Sequence, residues 1–562
     1  MVKNLLKLYL LFLPLLSFGQ STQEIESAEF IVEKDKDLKL PKRQRLFEHV
    51  KSSPTSASFD SLTFDLKEIP FEVRSYHPNL KVAQLEDPTK EEYYDHLINI
   101  GYGSYNTPGI LYEYSTHHLT SSNYGMNIEL KEHQKGPVQA NYSSESTSEV
   151  QLWHRANLGK GTLSSSLDYG YDKFYNYGML DELSALSSVS DTADHYLRRL
   201  HRFNLFFDYL INTKGENPIH IMPEWHYTGQ QGLGKTDNVS SYYSGGEEND
   251  FILNFNLEAL KKRSWVFDFD FFMALTQFTN QRTENNQRKW AYGIPKIDLT
   301  FGDWSVSAGF KIGFYDDDLE GGSGFLLPDL AASYTFGNHI SVYGEVKGDV
   351  KRNDFKSVVS LNRHVSDSIF LKTSIEKIGL KLGVSGGLLP RMTYDVNLSI
   401  KSIGDQLYFT NNKSNPAYFD VVYDIGNSSR FDVESFLNFD ATNQLSWFAL
   451  MKYNEIKTNT IQTPWHTPST SFQMGANVKL MKDRLIFSPY LINLSNIKAS
   501  SIDEEIIVLP NVIDFGMDID MVFNEKIGAF LKMRNLLGKE NQIYNHYSSR
   551  EFDIYGGISV RF

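Results

Sequence analysis

A chain of 562 residues is long enough for several soluble domains or for one large membrane barrel, so length leaves the architecture open. A net charge of −14 excludes a polyanion partner such as nucleic acid, because no extended basic surface is present to displace counterions from phosphates. The absence of cysteine excludes disulfides, thiolate metal sites, a cysteine nucleophile and a lipid-modified N-terminal cysteine.

In chain order, the first element is an export address. Lys3 and Lys7 form a positive n-region, Leu8 to Leu16 an apolar h-region, and Ser17-Phe18-Gly19-Gln20 a small-residue cleavage region, so residues 1–20 read as a signal peptide. The cleavage region resembles that of Bacteroidetes signal peptides. No other stretch has the roughly 18 apolar residues that a spanning helix needs. The mature chain is therefore exported, and it crosses a membrane as strands or is a secreted soluble protein.

Residues 21–92 form a charged, Pro-interrupted segment, with Glu33-Lys34-Asp35-Lys36-Asp37, Lys42-Arg43-Gln44-Arg45 and Pro41, Pro54, Pro70, Pro78 and Pro88. It reads as a mostly extended periplasmic tail. Within it, Glu29 to Glu33 is a candidate strand for edge addition to a periplasmic partner.

From Tyr93 to Phe562 one pattern repeats. Phe251, Leu253, Phe255 and Leu257 alternate with Ile252, Asn254, Asn256 and Glu258. After a turn, Trp265, Phe267, Phe269, Phe271, Met273 and Leu275 oppose Asp268 and Asp270. Trp304 to Phe314, Phe472 to Leu480 and Ile513 to Phe523 repeat the alternation. Successive side chains of a strand point to opposite faces, so each segment has one apolar and one polar side. So many aromatic faces would overfill the core of one soluble sandwich, whereas a closed barrel turns them to lipid. Aromatics at 14% of the chain suit strands and interfacial girdles. Average hydropathy looks soluble because alternation hides the lipid face.

Connections alternate in length. Gly159-Lys160-Gly161, Gly302-Asp303, Gly337-Asn338, Lys482-Asp483 and Asn524-Glu525 predict tight turns. Between them, Lys173 to Tyr196, Gly229 to Asp250, Gln277 to Arg288 and Gly404 to Ser428 predict long polar loops. Short turns on one side and long loops on the other predict an all-β, closed antiparallel transmembrane barrel of about 22 strands, range roughly 16 to 24, with both termini periplasmic.

The last strand, Glu551 to Phe562, sets Phe552, Ile554, Gly556, Ile558, Val560 and Phe562 on one parity, ending on an aromatic. The alternative for this strand alone is the edge of a soluble sandwich. Together with Phe530 to Lys539, containing Asn535-Leu536-Leu537, and with Tyr544, Tyr547 and Gly556-Gly557, this ending resembles the final two strands of TonB-dependent receptors. Asn106-Thr107-Pro108 fits a tight first reversal of such a barrel. The resemblance implies a receptor-type barrel engaged in transport across the outer membrane. It departs from that family in having no room before Tyr93 for a full plug domain and no convincing TonB box.

A barrel this wide must be filled by its tail, by infolded loops or by another protein. Inward Asp268, Asp270, Asp514, Asp518, Asp520, Lys311, Lys479, Lys532 and Arg534 would either line a hydrated lumen, dock a plug, or pair across neighbouring strands. No catalytic, cofactor-binding or metal motif is found, and His117-His118, His195, His201, His220 and His226 lack ligand spacing. Asp316-Asp317-Asp318-Leu319-Glu320 is either a calcium loop or a solvated acidic turn. Ser61, Thr192 and Ser368 sit in triplets similar to a Bacteroidetes O-glycosylation pattern, Thr192 in a predicted outer loop. The expected partners are outer-membrane lipid, lipopolysaccharide and a periplasmic or outer-membrane protein. The expected function is a receptor-like or channel barrel, and the alternative is a non-catalytic structural subunit of an envelope assembly or secretion complex. A barrel-embedded hydrolase is a third class, without a recognisable dyad or triad.

Overall fold

The computed structural model describes residues 94–116, 121–138, 140–178, 196–211, 217–236, 239–262, 264–337, 339–389, 391–500 and 505–562. The signal peptide, the tail with its Glu29 to Glu33 strand, Ser61, His117-His118, Thr192 and His195 lie outside the described residues.

In order, the strands are β1 (His96–Gly103), β2 (Thr107–Ser115), β3 (Ser122–His133), β4 (Glu145–Leu158), β5 (Gly161–Tyr175), β6 (Leu197–Ile211), β7 (Ile219–Thr236) and β8 (Val239–Lys262). Next come β9 (Trp265–Asn280), β10 (Asn286–Phe301), β11 (Trp304–Asp317), β12 (Ser323–Phe336), β13 (Ile340–Lys351), β14 (Ser374–Leu389), β15 (Met392–Asn411) and β16 (Phe419–Phe439). The last are β17 (Leu445–Lys457), β18 (Thr470–Leu480), β19 (Leu485–Ser495), β20 (Lys498–Ser500), β21 (Ile506–Val508), β22 (Val512–Val522), β23 (Ile527–Arg534) and β24 (Asp553–Arg561). Strands β20 and β21 form a small separate ribbon; the remaining 22 make one antiparallel sheet. It closes where β1 pairs with β24, from Leu97 opposite Arg561 to Gly103 opposite Tyr555. Every hairpin connects neighbours, which is the meander that a strictly alternating sequence dictates.

Register turns the alternation into continuous bands. Phe267, Ile297, Ala308, Leu330, Val346, Leu380, Ile400 and Phe431 face one another in succession across β9 to β16. Side chains of this outward set, among them Ile297, Phe310, Ile312, Phe314, Leu330 and Ile400, are exposed. A sheet whose outer face is apolar and unpartnered over its full circumference is a lipid-spanning barrel. Lining the interior are polar pairs: Asn256 donates to Asp268 at 2.9 Å and to Asp270 at 2.7 Å, and Lys296 meets Asp268 at 3.1 Å. Lys311 pairs with Asp349 and Arg534 with Asp518. Most of the inward charges singled out from the sequence thus serve as cross-strand partners.

The closing seam is held by shape. Tyr555 lies flat over β1 and β2, where a Cβ on Gly101 would stand 2.5 Å from its ring and one on Gly109 2.4 Å from its hydroxyl. Outside, the rings of His96 and Phe562 stack at 4.9 Å, and their backbones exchange hydrogen bonds of 3.1 Å. The chain therefore enters and leaves the barrel at one rim, called here the terminal rim.

Three expected loops are strand. Residues 229–250 belong to the β7–β8 hairpin, 277–288 hold only a short link between β9 and β10, and 404–428 reduce to residues 412–418 between β15 and β16. These strands continue beyond the apolar band, where polar residues are mixed with side chains such as Phe278, Leu407, Phe409 and Phe419 that are buried at the mouth and no longer follow the lipid-facing alternation. Backbone ladder bonds need no apolar partner, so pairing persists where the hydrophobic period that reveals it has stopped.

Candidate functional site: the closed distal mouth

The rim opposite the termini is crossed by residues 352–373, which join β13 to β14. Their first element is a single short helix, α1 (Phe355–Leu361). Asp354 caps it, accepting from Ser357 N at 2.7 Å, and Asn353 enters it with a left-handed φ of 49°. Phe355, Val358 and Val359 fall on one helical face and are buried. They join Phe174, Leu200, Phe278, Val365, Ile369, Leu371, Leu407, Phe409, Phe419 and Tyr547 in an apolar cluster drawn from all sides of the mouth. A membrane barrel thus carries a soluble-protein core at one end.

Buried ion pairs fasten this lid to the wall in three places. Arg198, fully buried on β6, meets Asp367 at 3.0 Å and donates to the Tyr418 hydroxyl at 2.5 Å, while Tyr243 donates to Asp367 at 2.9 Å. Tyr418 directly precedes β16, ten strands away from β6 in a ring of 22, so this set of contacts spans the opening. At a second point Arg288 meets Asp317 at 2.9 Å and donates to the carbonyls of Arg352 and Asn353 at 2.7 and 3.3 Å. Trp290 donates to Thr373 at 3.2 Å beside it, and Arg352 holds Asp250 at 2.9 Å. A third anchor is Glu145, gripped by Arg363 of the lid and Arg550 of the loop between β23 and β24. That loop closes the other half of the mouth: Tyr544 donates to the Leu361 carbonyl at 2.7 Å and Tyr547 stacks on His364 at 3.8 Å.

His364 donates from Nδ1 to Asn176 at 2.8 Å, and burial with Arg363 beside it holds its pKa well below the ordinary imidazole value. Burial likewise lowers His466, between β17 and β18, to about 4, although its Nδ1 donates to the Ile543 carbonyl at 2.9 Å. Both imidazoles are therefore neutral packing elements at neutral pH.

The acidic turn belongs to the same assembly. Asp317 is committed to Arg288, Glu320 meets Lys372 at 3.1 Å, and Asp318 accepts from Gln287 N at 3.1 Å. Asp317 and Glu320 are thus spent on the lid's anchors, and among the described residues no group of His, Asp or Glu is arranged to hold a metal ion. Ser368 is exposed on the lid beside the half-buried Asp367. Of the histidines noted in the sequence, His226 accepts from Lys356 of the lid at 3.0 Å, while His201 and His220 stand apart from the mouth on β6 and β7.

The sequence carries no signal for Arg198, Trp290, Arg352 and Asp250, whose partners between lid and wall lie in other hairpins, or for Arg288, which faces Asp317 within its own hairpin but reaches the lid carbonyls only in the folded barrel. The one readable signal was Asp354 three residues before Ser357, followed by apolar residues at helical spacing, a helix start inside an otherwise alternating chain.

No protein-family model matches the chain, and no curated protein does. Solved structures do. The FrpB iron transporter of Neisseria meningitidis superposes with a TM-score of 0.67 at 10% identity, over 84% of this chain and 82% of its own. The siderophore receptor PirA of Acinetobacter baumannii gives 0.65 at 11%, over 84% and 81%. FpvA of P. aeruginosa, solved with bound pyoverdine and iron, gives 0.65 at 10%, over 84% and 72%. The chain shares their 22-stranded barrel fold, in which β24 closes the ring onto β1. At this identity the likeness is one of fold.

Proposed function

We propose that the chain is a receptor-like transport barrel of the outer membrane, shut at its outer mouth by residues 352–373 and by the loop between β23 and β24. In this reading the terminal rim faces the periplasm, the signal peptide directs export, and the segment before β1 is a tail rather than a full plug domain. The structures of like fold are named as iron and siderophore transporters and receptors, which supports solute passage as the general role. The single observation that carries the reading is the direct link from Arg198 through Asp367 and Tyr418 across the opening. A polar-lined barrel that, among the described residues, is closed by loops is built to pass something when those loops yield.

Planar-bilayer conductance tests this. The intact protein is expected to stay closed, and a variant with residues 354–372 replaced by a Gly-Ser linker and residues 21–92 removed is expected to conduct. A silent double deletion would overturn the transport reading. One feature favours the structural-subunit alternative: the mouth is packed like a protein core, with Arg198, Arg288 and Trp290 fully buried. Purification in mild detergent discriminates, since a stable stoichiometric partner would favour a subunit of a larger assembly and a lone barrel would count against it.

A further inference from the structure

The outer face of β4 to β7 is graded in a way that the rest of the lipid-facing surface does not explain. Reading upward toward the distal rim, one rung holds Leu152, Leu167, Leu205 and Trp225 side by side on the four strands. The next holds Val150, Tyr169, Phe203 and Tyr227, and the one above it Ser148, Tyr171, His201 and Gly229. Above these stand Ser146, Lys173, Arg199 and Gln231 in one row. Leu152, Tyr169, Phe207 and Trp225 are exposed, which fixes this parity as outward on all four strands. Hydrocarbon, aromatic girdle, hydroxyl and imidazole, then cation is the polarity profile of a bilayer from its core to its headgroups.

Lys173 and Arg199 are directly opposed across neighbouring strands. Like charges in that position repel, so the pair costs stability unless an anion lies between them. Arg199 is oriented by its guanidinium resting on the Tyr242 ring at 3.8 Å, and its Nε is buried without a hydrogen-bond partner among the described residues. The outward acids nearest the pair are Glu132, which faces Ser146 two strands from Lys173, and Glu247, which faces Gly229 one rung below the row and two strands from Arg199, each roughly 10 Å or more away at ordinary strand spacing. Lys173 is four residues beyond Tyr169, which at ordinary strand rise and tilt lifts it about 10 Å above the aromatic girdle, to headgroup depth. By contrast, Lys289 on the outer face of β10 is opposed by Asp316, so that position is already neutralised within the wall.

We propose that Lys173 and Arg199 form a binding site for a phosphorylated lipid headgroup in the leaflet at the distal rim, flanked by Ser146 and Gln231 as neutral donors. The guanidinium offers a fork matched to phosphate oxygens, and the ammonium adds a point charge on the other side. The acyl chains would then lie against the Leu152 to Trp225 rung. The proposal rests on the reading of the barrel as membrane-embedded.

The test uses the full chain in phosphatidylcholine nanodiscs supplemented with bis-phosphorylated lipid A or with its dephosphorylated form, and reads retained lipid by native mass spectrometry. The wild type is expected to retain the phosphorylated form about tenfold over the other, the weight of one charge-assisted hydrogen bond. Lys173→Gln with Arg199→Gln is expected to abolish that preference, and Lys173→Arg, which keeps the charge, to hold it within about twofold. Lys526→Gln at the terminal rim is expected to change nothing. Equal retention of both lipids by the wild type, or an unchanged preference in the double Gln variant, would overturn the site while leaving the barrel intact. Failure of the wild type to enter the nanodisc as a folded barrel would overturn the membrane reading and the site together.

Discussion

The two rims of this barrel are built by different physics. At the terminal rim the hairpins end in short turns such as Gly302-Asp303, where Gly302 takes a φ of 59° with open space where a Cβ would stand. Apart from the His96–Phe562 contact where the ring closes, such a turn is dictated by local backbone preference. At the distal rim the connections carry Phe355, Val358, Tyr544 and Tyr547 into a shared core with three buried ionic anchors. The wall between is the same meander throughout. Closure is therefore a property of side-chain packing laid over a barrel that does not need it, and the lid should loosen without the wall unfolding.

The sharpest way to break this contrast is Arg288→Ala. It leaves Asp317 buried without its partner and strips the Arg352 and Asn353 carbonyls of a donor, a loss of about 3–5 kcal/mol. Hydrogen exchange should speed up across residues 352–373 while the β9 to β12 ladders keep their protection. Loss of protection in both would mean that lid and wall form one cooperative unit.

Phe355→Ala ranks next. Its ring is 1% exposed and packs at 5.3 Å from Phe278, so truncation should cost about 3 kcal/mol of lid stability. Protease cleavage confined to residues 352–373 is the expected readout.

Acid should act on the same end. His364 and His466 are held neutral by burial, with His466 lowered to about 4, whereas in an opened lid they titrate near about 6.5. Lid stability is then fully present above that value and is lost as pH falls toward the folded pKa, because the open state gains protons that the closed state refuses. The slope is up to about 1.4 kcal/mol per pH unit for each histidine. Exchange of the lid amides should rise between pH 6 and 5 once corrected for intrinsic rates, and replacing both histidines by Gln should flatten the response.

At the seam, Tyr555→Ala removes the ring lying over Gly101 and Gly109 and should cost about 1–2 kcal/mol, lowering the temperature at which the barrel loses its heat-resistant gel mobility. The distal lid should be untouched. Smallest of all is the acidic turn: with Asp317 and Glu320 already paired, calcium titration should give no heat above dilution, and Asp318→Asn should shift stability by under about 0.5 kcal/mol.

Strand parity, the tight turns at Gly159, Gly302, Gly337, Lys482 and Asn524, the outward aromatic faces and the inward charges were all legible, because each depends on neighbours one or two residues away. The distal extensions of β7, β8, β15 and β16 were not. Beyond the apolar band the clean two-residue period lapses, consecutive Leu407, Tyr408 and Phe409 of β15 all being buried, and the residue pattern there matches a loop as well as a strand. Asp367 shows the deeper limit: in the sequence it is part of a glycosylation-like triplet, and in the structure it is the acid that answers Arg198 from 169 residues away.

The amino-acid order by itself determined a closed ring of hairpins with lipid outside, since alternation is a local property and a barrel is the one sheet that leaves no edge unsatisfied in a membrane. Only the tertiary structure decided that the ring is shut, and by which residues. The reason is physical: a buried charge or an aromatic on a loop has no period to betray its partner, and its role exists only once strands on opposite sides of the mouth have been brought within reach of it.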